Sequence, residues 1–550
     1  MKAETASSIA STPAASEPAT DVKPKAGKRG ARFWLVFLAL IFCVFLSALD
    51  LTAVSTALPT IAQEFDSSEF SWVGSAYALT STALIPWTGG LAAIFGRRPV
   101  MVAALALFAL GSAITGAAQS MAMMIGGRSV QGIGGGAILT MTEIIVCDLV
   151  PLAERGAFFG IIGAVWALAS AIGPPIGGAL ANAGAWRWLW YLNLPLTGIA
   201  FVLVMLFLDV KAPKLTTKEK LERMDYFNIL FVASATAAIL GLTWGGTAYP
   251  WSSFRVIVPL VLGFLGMVVF VVVERYVKHP TVPFAILVDR NSYVGFFTTF
   301  LHSLLVMAIV YYLPAFYQMR GDSAIEAGVK IFPLSFTIAP FAIIVGISVT
   351  ITGHYVTQNI IGWAIIVLGF GLMNLIKTDS GRAVWASTTA VTGIGLGMLY
   401  AATNFPILSP IKPSQQPHAI TFYGFVRSLG QVFGISIGAT IFTNELTDSL
   451  PAAFAEQLGG HGGELAYAAI PVIQQIGEPL RREVQDAFTH SLRMIWIVCA
   501  ALGGVGVLVS LLFKNIPLTT EMDEENWGLK DKEKKAGGAA GNEEEKVGSA

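Results

Sequence analysis

Gly163-Ala-Val-Trp166-Ala-Leu-Ala-Ser-Ala-Ile-Gly173-Pro174-Pro175-Ile-Gly177-Gly178 lies inside an apolar stretch long enough to cross a bilayer. Few helices in lipid carry so many helix-weakening residues. Glycines at this spacing let neighbouring backbones approach closely, and each proline frees a carbonyl that something nearby must satisfy. A rigid, kinked, closely packed helix of this kind suits a transporter better than a simple anchor.

The rest of the chain supports a membrane reading. It has 550 residues, 54% hydrophobic and 13% charged, about half the charged share of a soluble protein. Formal net charge is zero, which argues against a nucleic-acid partner. Apolar runs of about 20 residues recur, the length that spans a bilayer. Their expected positions are 33–60, 72–94, 99–118, 121–146, 157–180, 188–209, 227–246, 255–275, 293–316, 329–352, 360–377, 383–408, 422–443 and 491–513. Cys43, Cys147 and Cys499 fall in or beside these runs and read as small core residues, with no disulfide framework, metal spacing or cofactor motif.

Fourteen spans put both ends of the chain on one side. About sixteen lysines and arginines cluster on that side in Lys23, Lys25, Lys28, Arg29 and Arg32, the Arg97-Arg98 turn, Arg155, and the loops holding Lys211 to Arg223 and Arg275 to Arg290. Arg187, Arg255, Arg320, Lys330, Lys377, Arg382, Arg481, Arg482 and Arg493 fall on the other. Basic residues mark the cytoplasmic side, so both termini are expected there. The chain then divides into a disordered tail (1–32), a six-span unit (33–209), a linker with two extra spans (210–292), a second six-span unit (293–513) with a long outer loop at 444–490, and a second disordered tail (514–550).

Charges at bilayer depth are functional candidates. Asp50 lies roughly 25 Å into the first span, and Arg128 roughly 10 Å below the outer surface in the fourth, at 1.5 Å per residue. These depths let the two meet. A buried carboxylate beside a cation binds or releases a proton when the cation or a substrate moves, so the pair is the candidate proton-coupling site; the plain alternative is a structural ion pair. Gln131 and the cluster Gly132-x-Gly134-Gly135-Gly136 follow Arg128; with no strand before it, the cluster is no dinucleotide fingerprint. Glu143 ends the same helix and Arg427 starts the thirteenth span. Both are gate candidates, and both read equally as interface residues. His302 lies near the midplane of the ninth span and titrates in a useful range; with Gln131 and Trp166 it is a candidate for the substrate cavity, although a lone membrane histidine more often bonds a neighbouring helix. Trp186-Arg187-Trp188-x-Trp190-Tyr191 and Trp244 to Trp251 read as interfacial aromatic belts.

Gly89-Gly90-Leu91-Ala92-Ala93-Ile94-Phe95-Gly96-Arg97-Arg98 resembles the loop motif of the major facilitator superfamily. Leu49-Asp50-x-Thr52 through Pro59, Arg128-x-x-Gln131-Gly132 and Gly173-Pro174-x-x-Gly177-Gly178 resemble the first-, fourth- and fifth-span motifs of its drug:proton antiporters. Trp186-Arg187-Trp188 through Pro195, Tyr312-Leu313-Pro314 with Gln318, and Phe425-x-Arg427-x-Leu429-Gly430 resemble the fourteen-spanner branch, in a fungal wording. The resemblance covers about 33–515. It implies an all-α integral membrane protein of the major facilitator fold, with fourteen transmembrane helices as two six-helix bundles plus two inserted central helices. It also implies alternating access about a midplane site, with Asp50, Arg128 and His302 on cavity-lining spans.

The loop motif usually has an acid where this chain has Ala93. The cytoplasmic latch would therefore rest on Gly89, Gly96, Arg97 and Arg98 with Asp148 or Glu154. The function so implied is proton-coupled export of a small organic molecule (drug, toxin, secondary metabolite or organic acid) by a monomer, with small-molecule substrate, protons and the lipid bilayer as partners. The plasma membrane is the expected location, an internal membrane such as the vacuole staying open. Uptake or facilitated diffusion by the same fold, and a non-transporting sensor, are the competing readings. No nucleophile–base pairing or phosphate loop points to an enzyme.

Overall fold

The computed structural model describes residues 29–65, 72–210, 215–245, 249–278, 280–287, 289–457, 470 and 473–521. Apolar runs with no unpaired backbone form long helices, the natural way for a single segment to satisfy its own amides in lipid. The first six are α1 (Ala31–Phe65), α2 (Trp72–Phe95), α3 (Arg97–Gly116), α4 (Met121–Leu149), α5 (Arg155–Asn182) and α6 (Asn193–Phe207). Next come α7 (Asn228–Trp244) and α8 (Phe254–Glu274). The last six are α9 (Arg290–Met319), α10 (Phe332–Thr352), α11 (Tyr355–Met373), α12 (Arg382–Ala402), α13 (Gln416–Ser449) and α14 (Leu480–Ser510). Among the described residues 13 helical stretches are long and apolar enough to cross a membrane, and α7, at 17 residues, is the shorter apolar helix that completes the set.

Both Ala31 and Ser510 lie at one end of the molecule, called here the terminal end; the opposite one is the far end. Some boundaries differ from the sequence expectation. α13 begins at Gln416 and not near 422, because Pro417 suits the first turn of a helix even though Gln416 and His418 lower its hydropathy. α14 begins at Leu480, in the 444–490 stretch expected as loop. Residues 514–519, expected within a disordered tail, are tied down. The Lys514 amide and carbonyl exchange hydrogen bonds with the Asn291 side chain at 2.9 and 2.6 Å, and the Ala153 amide donates to the Thr519 carbonyl at 3.3 Å. The segments 1–28, 458–469, 471–472 and 522–550 lie outside the described residues.

Small residues set how closely the helices meet. α4 sits between α2 and α3: a side chain at Gly134 would collide with the backbone of Phe108 and Ala104, and one at Gly132 with that of Tyr77. α7 and α8 pair with each other and lie against α2 and α13, with Phe231, Phe270, Ile85 and Phe425 sharing one apolar cluster.

The distribution of core residues distinguishes the two ends. At the terminal end one cluster joins α1, α3, α4 and α5 to α10, α12 and α13, through Phe37, Val146, Phe158, Val349, Ala402, Phe405 and Ile420. At the far end the first six helices close on a cluster of their own (Val54, Ile61, Met124, Trp186, Trp190), and the last six on another (Tyr312, Phe316, Trp363, Phe488), which only Ala167 of α5 joins from across the interface. The bundles are therefore fused at the terminal end and have separate main cores at the far end, where they meet along α5 and, through α7, in the cluster of Leu79, Ile239, Leu242 and Val432.

Candidate functional site

Asp50 and Arg128 meet, as their depths suggested. Arg128 Nη1 donates to Asp50 Oδ2 at 2.6 Å, and both side chains are at most 1% exposed. The other carboxylate oxygen, Oδ1, accepts from Gln131 Nε2 at 2.9 Å and from Asn193 Nδ2 at 2.7 Å. Gln131 is one turn below Arg128 on α4, so its Oε1 accepts from Arg128 Nη1 at 2.6 Å while its amide also reaches Ser112 Oγ on α3 at 2.8 Å. Arg128 Nε donates to the Val73 carbonyl of α2 at 2.9 Å, and its guanidinium lies 4.4 Å from the centre of the Tyr77 ring. The Tyr77 hydroxyl is 3.1 Å from Ser47 Oγ. Helices α1, α2, α3, α4 and α6 thus each contribute one or more groups to a single buried polar network.

This location corrects the expectation that substrate reaches Asp50 and Arg128 directly. The network is sealed inside the first bundle, and all its side chains are under 5% exposed. Ser112, Asn193 and Tyr77 were not marked by the sequence; their only signal was a polar atom in an apolar span. Chemically the network is a carboxylate held by three donors, one of them a cation. Removing any donor leaves a buried charge short of a partner. Arg128 Nη2 has no acceptor among the described residues.

A second set of polar groups crosses between the bundles. Arg427 Nη1 of α13 donates to Glu143 Oε1 of α4 at 2.8 Å. Arg427 lies 11 residues into α13, deeper than the five expected, because the helix starts earlier. Its guanidinium carbon is 5.3 Å from the Tyr423 ring centre and 6.0 Å from that of Tyr400. Nearer the end, Arg155 Nη1 donates to Gln416 Oε1 at 2.6 Å, a link the sequence did not suggest.

The loop residues expected to form the latch act differently. Arg97 pairs with Asp148 through Nε–Oδ2 at 2.7 Å and Nη2–Oδ1 at 3.2 Å, both buried and both in the first bundle. Arg98 donates to the Met205 carbonyl of α6, and Glu154 pairs with Arg29 at 2.5 Å, again within that bundle. Gly96, at φ +90°, makes the turn from α2 to α3. Gly89 does face the other bundle: a Cβ there would lie 2.9 Å from that of Thr421 on α13. Arg427, within α13, and Arg155, at the start of α5, each make a polar contact with the other bundle.

The run 163–178 makes up more than half the length of α5 and packs on several sides. A side chain at Gly163 would strike the Tyr400 ring, one at Gly173 would strike Thr52 of α1, and one at Gly178 would lie 2.9 Å from Ile325. Gly177 is buried, and Pro174 and Pro175 lie 3.2 and 3.3 Å from a Cβ built at Gly328 in the short helix Ala324–Lys330. At the terminal end the backbones of Gly156 and Gly346 touch, so a side chain at either would collide with the other's carbonyl. α5 therefore follows the second bundle along its whole length. Trp166 is half-buried against the shared core. His302 bonds the Leu396 carbonyl at 3.0 Å and is 3% exposed, a helix-to-helix contact inside the second bundle.

The tryptophan belt at 186–191 is also corrected. Trp186 and Trp190 are 1% and 0% exposed, and only Trp188, at 56%, faces outward. Trp186 Nε1 donates to Glu64 Oε2, Arg187 Nη1 to Glu64 Oε1 at 2.7 Å, and Arg187 Nη2 to the Ala118 carbonyl at 2.9 Å. Three far-end connections of the first bundle are clasped there. Burial pushes the Glu64 carboxyl up, but the bonds from Arg187 and Trp186 outweigh it and hold the group below the usual carboxylate range. Trp251 Nε1 similarly reaches Thr440 of α13 at 3.1 Å. Among the described residues no group of three His, Cys, Asp or Glu is placed to hold a metal.

Two six-helix bundles with an inserted pair, polar networks at depth and an interface of small residues define a helical membrane transporter fold. The model of the Major Facilitator Superfamily matches residues 40–435, and the chain belongs to that family. It is 38% identical over 522 residues to "MFS-type efflux pump LUC4" of a Fusarium species, covering 93% of this chain and 92% of that one. It is 37% identical over 523 residues to "Efflux pump FUS6" of Gibberella fujikuroi, covering 93% and 94%. The "Acurin A biosynthesis cluster MFS-type transporter" of Aspergillus aculeatus is 36% identical, with 90% and 92% covered. Two solved structures share the fold: the proton:xylose symporter XylE (TM-score 0.56, 12% identity, 88% of this chain and 98% of that one) and the human organic anion transporter MFSD10 (TM-score 0.54, 15% identity, 86% and 100%).

Proposed function

We propose that this transporter exports a small organic molecule from the cytoplasm, driven by protons that bind and leave Asp50. The observation that carries the reading is the buried carboxylate of Asp50, held by Arg128, Gln131 and Asn193 between five helices. In this reading the bundle that contains it shifts its internal packing as the two bundles rock. Loss of one donor raises the proton affinity of a desolvated carboxylate and its return lowers it, so proton binding and bundle geometry are linked. The names of the relatives, efflux pumps and transporters from fungi, support the outward direction.

In this reading the terminal end is cytoplasmic, as the basic residues clustered on that side suggest, and the described form is closed to the cytoplasm. Substrate enters from the cytoplasm when the fused core at that end separates, and α5 seals the edge against proton leak. The protein works in the plasma membrane as a monomer. The test has two steps. A deletion strain of the native host identifies the compound lost from its medium. That compound is then followed in proteoliposomes under an imposed pH gradient. Flux that rises with the gradient and is lost in Asp50→Asn supports the reading; flux that ignores the gradient, with Asp50→Asn fully active, sinks it.

A further inference from the structure

Glu143 and Arg427 reach each other from different bundles, across the interface that alternating access must open. When it opens, the two charges part. Glu143 is on α4 and Arg427 stays on α13 against Tyr423 and Tyr400 of its own bundle. A guanidinium left in a tyrosine-lined interface without its carboxylate is costly, and it needs a new anion.

We propose that Arg427 is the anchor for the transported molecule and Glu143 its built-in competitor, so that the cargo carries a carboxylate or an equally acidic enol. This rests on the reading that the space between the bundles is the substrate path. Three further observations point the same way. Arg128, the other deeply buried span cation named as a site, is already matched by Asp50 inside its own bundle and does not face the interface. Arg155 keeps two of its three oxygen acceptors, the carbonyls of Cys147 and Val150, in its own bundle and so loses less on opening. The Glu143–Arg427 contact is single-pointed. Glu143 Oε2 finds no donor among the described residues, whereas Arg97 and Asp148 are bridged at both oxygens. A one-point pair is open to replacement by a cargo carboxylate that takes the guanidinium bidentately. Opening of the terminal end frees Arg427 for the anion and returns Glu143 to water. Closing brings Glu143 back, and the carboxylate displaces the cargo toward the far end. No proton is consumed at this pair.

Equilibrium binding to the purified full-length protein tests this with 1-naphthoate and its uncharged isostere 1-naphthamide, by calorimetry. Wild type should bind naphthoate more tightly than naphthamide. Glu143→Gln, which removes the competitor, should tighten naphthoate by about tenfold and leave naphthamide unchanged. The double variant Glu143→Gln/Arg427→Gln, which leaves no unpaired charge, should stay folded and lose the preference. Weaker naphthoate binding by Glu143→Gln, an equal or stronger response to naphthamide in wild type, a preference that survives the double variant, or no naphthoate binding to Glu143→Gln would each overturn the proposal. None of these measurements uses a pH gradient, so their failure leaves the Asp50 reading standing, and failure of gradient-driven flux leaves these results readable.

Discussion

At the scale of the residue, the energetics centre on Asp50. Arg128→Ala leaves a buried carboxylate without its cation, and a loss of about 3–5 kcal/mol is expected for breaking one side of such a pair. Thermal unfolding in detergent should show it as a large drop in melting temperature, with Asp50→Asn/Arg128→Gln milder than Arg128→Ala alone. A double variant as unstable as the single one would mean that the pair is incidental to stability. Asn193→Ala removes one of two amide donors on Asp50 Oδ1, and about 1–3 kcal/mol is expected for an acceptor left short in a buried site. The Asp50–Arg128 pairing was legible in the sequence because charges at bilayer depth are rare and their depths can be counted. Asn193, Ser112 and Tyr77 were not, because one polar atom in an apolar span is common and its direction depends on how each helix is rotated in the bundle. The same ignorance of rotation placed Asp50 and Arg128 beside the substrate path instead of inside one bundle.

At the scale of the element, α5 packs as closely as its glycines and prolines indicated. They mark contact with α1 through Gly173, with α12 through Gly163 and with the segment before α10 through Pro174, Pro175 and Gly178. The tightest point, Gly156 on Gly346, lies outside the run that drew notice. Gly346→Leu is expected to hold the terminal end apart, because its side chain has only the Gly156 backbone to meet. Transport should fall to background while the protein still purifies as a folded species; near-normal transport by this variant would show that the bundles do not need this contact. The start of α13 was hidden because hydropathy cannot see a helix whose first turn is Gln416-Pro417-His418. The far-end clasp offers a pH test. Glu64 is held below its ordinary range by Arg187 and Trp186, so the stability it lends is present above the unfolded-state value and is lost as pH falls through the lowered one. Acidification from about pH 6 to about pH 3 should therefore lower the melting temperature of wild type more than that of Glu64→Gln. Equal shifts would contradict the clasp.

At the scale of the whole molecule, two bundles share a core at the terminal end and keep separate main cores at the far end. The two-bundle plan and the inserted pair were readable from span count and motifs. Which end is closed was not, because it depends on contacts between residues hundreds of positions apart, such as Arg155 with Gln416. Gly89→Cys/Thr421→Cys tests the closure. A Cβ at Gly89 lies 2.9 Å from that of Thr421, within a small shift of the ~3.8 Å a disulfide needs. Oxidation should cross-link the pair and stop transport, and reductant should restore it, the native cysteines Cys43, Cys147 and Cys499 being buried. Failure to cross-link would contradict a closed terminal end. The most direct measurement is flux of the native cargo in proteoliposomes as the pH gradient is varied, in wild type and Asp50→Asn. Export that scales with the gradient in wild type and becomes indifferent to it in the variant is the expected result; gradient-driven flux that survives in Asp50→Asn, or wild-type flux that never responds to the gradient, would contradict proton coupling through Asp50.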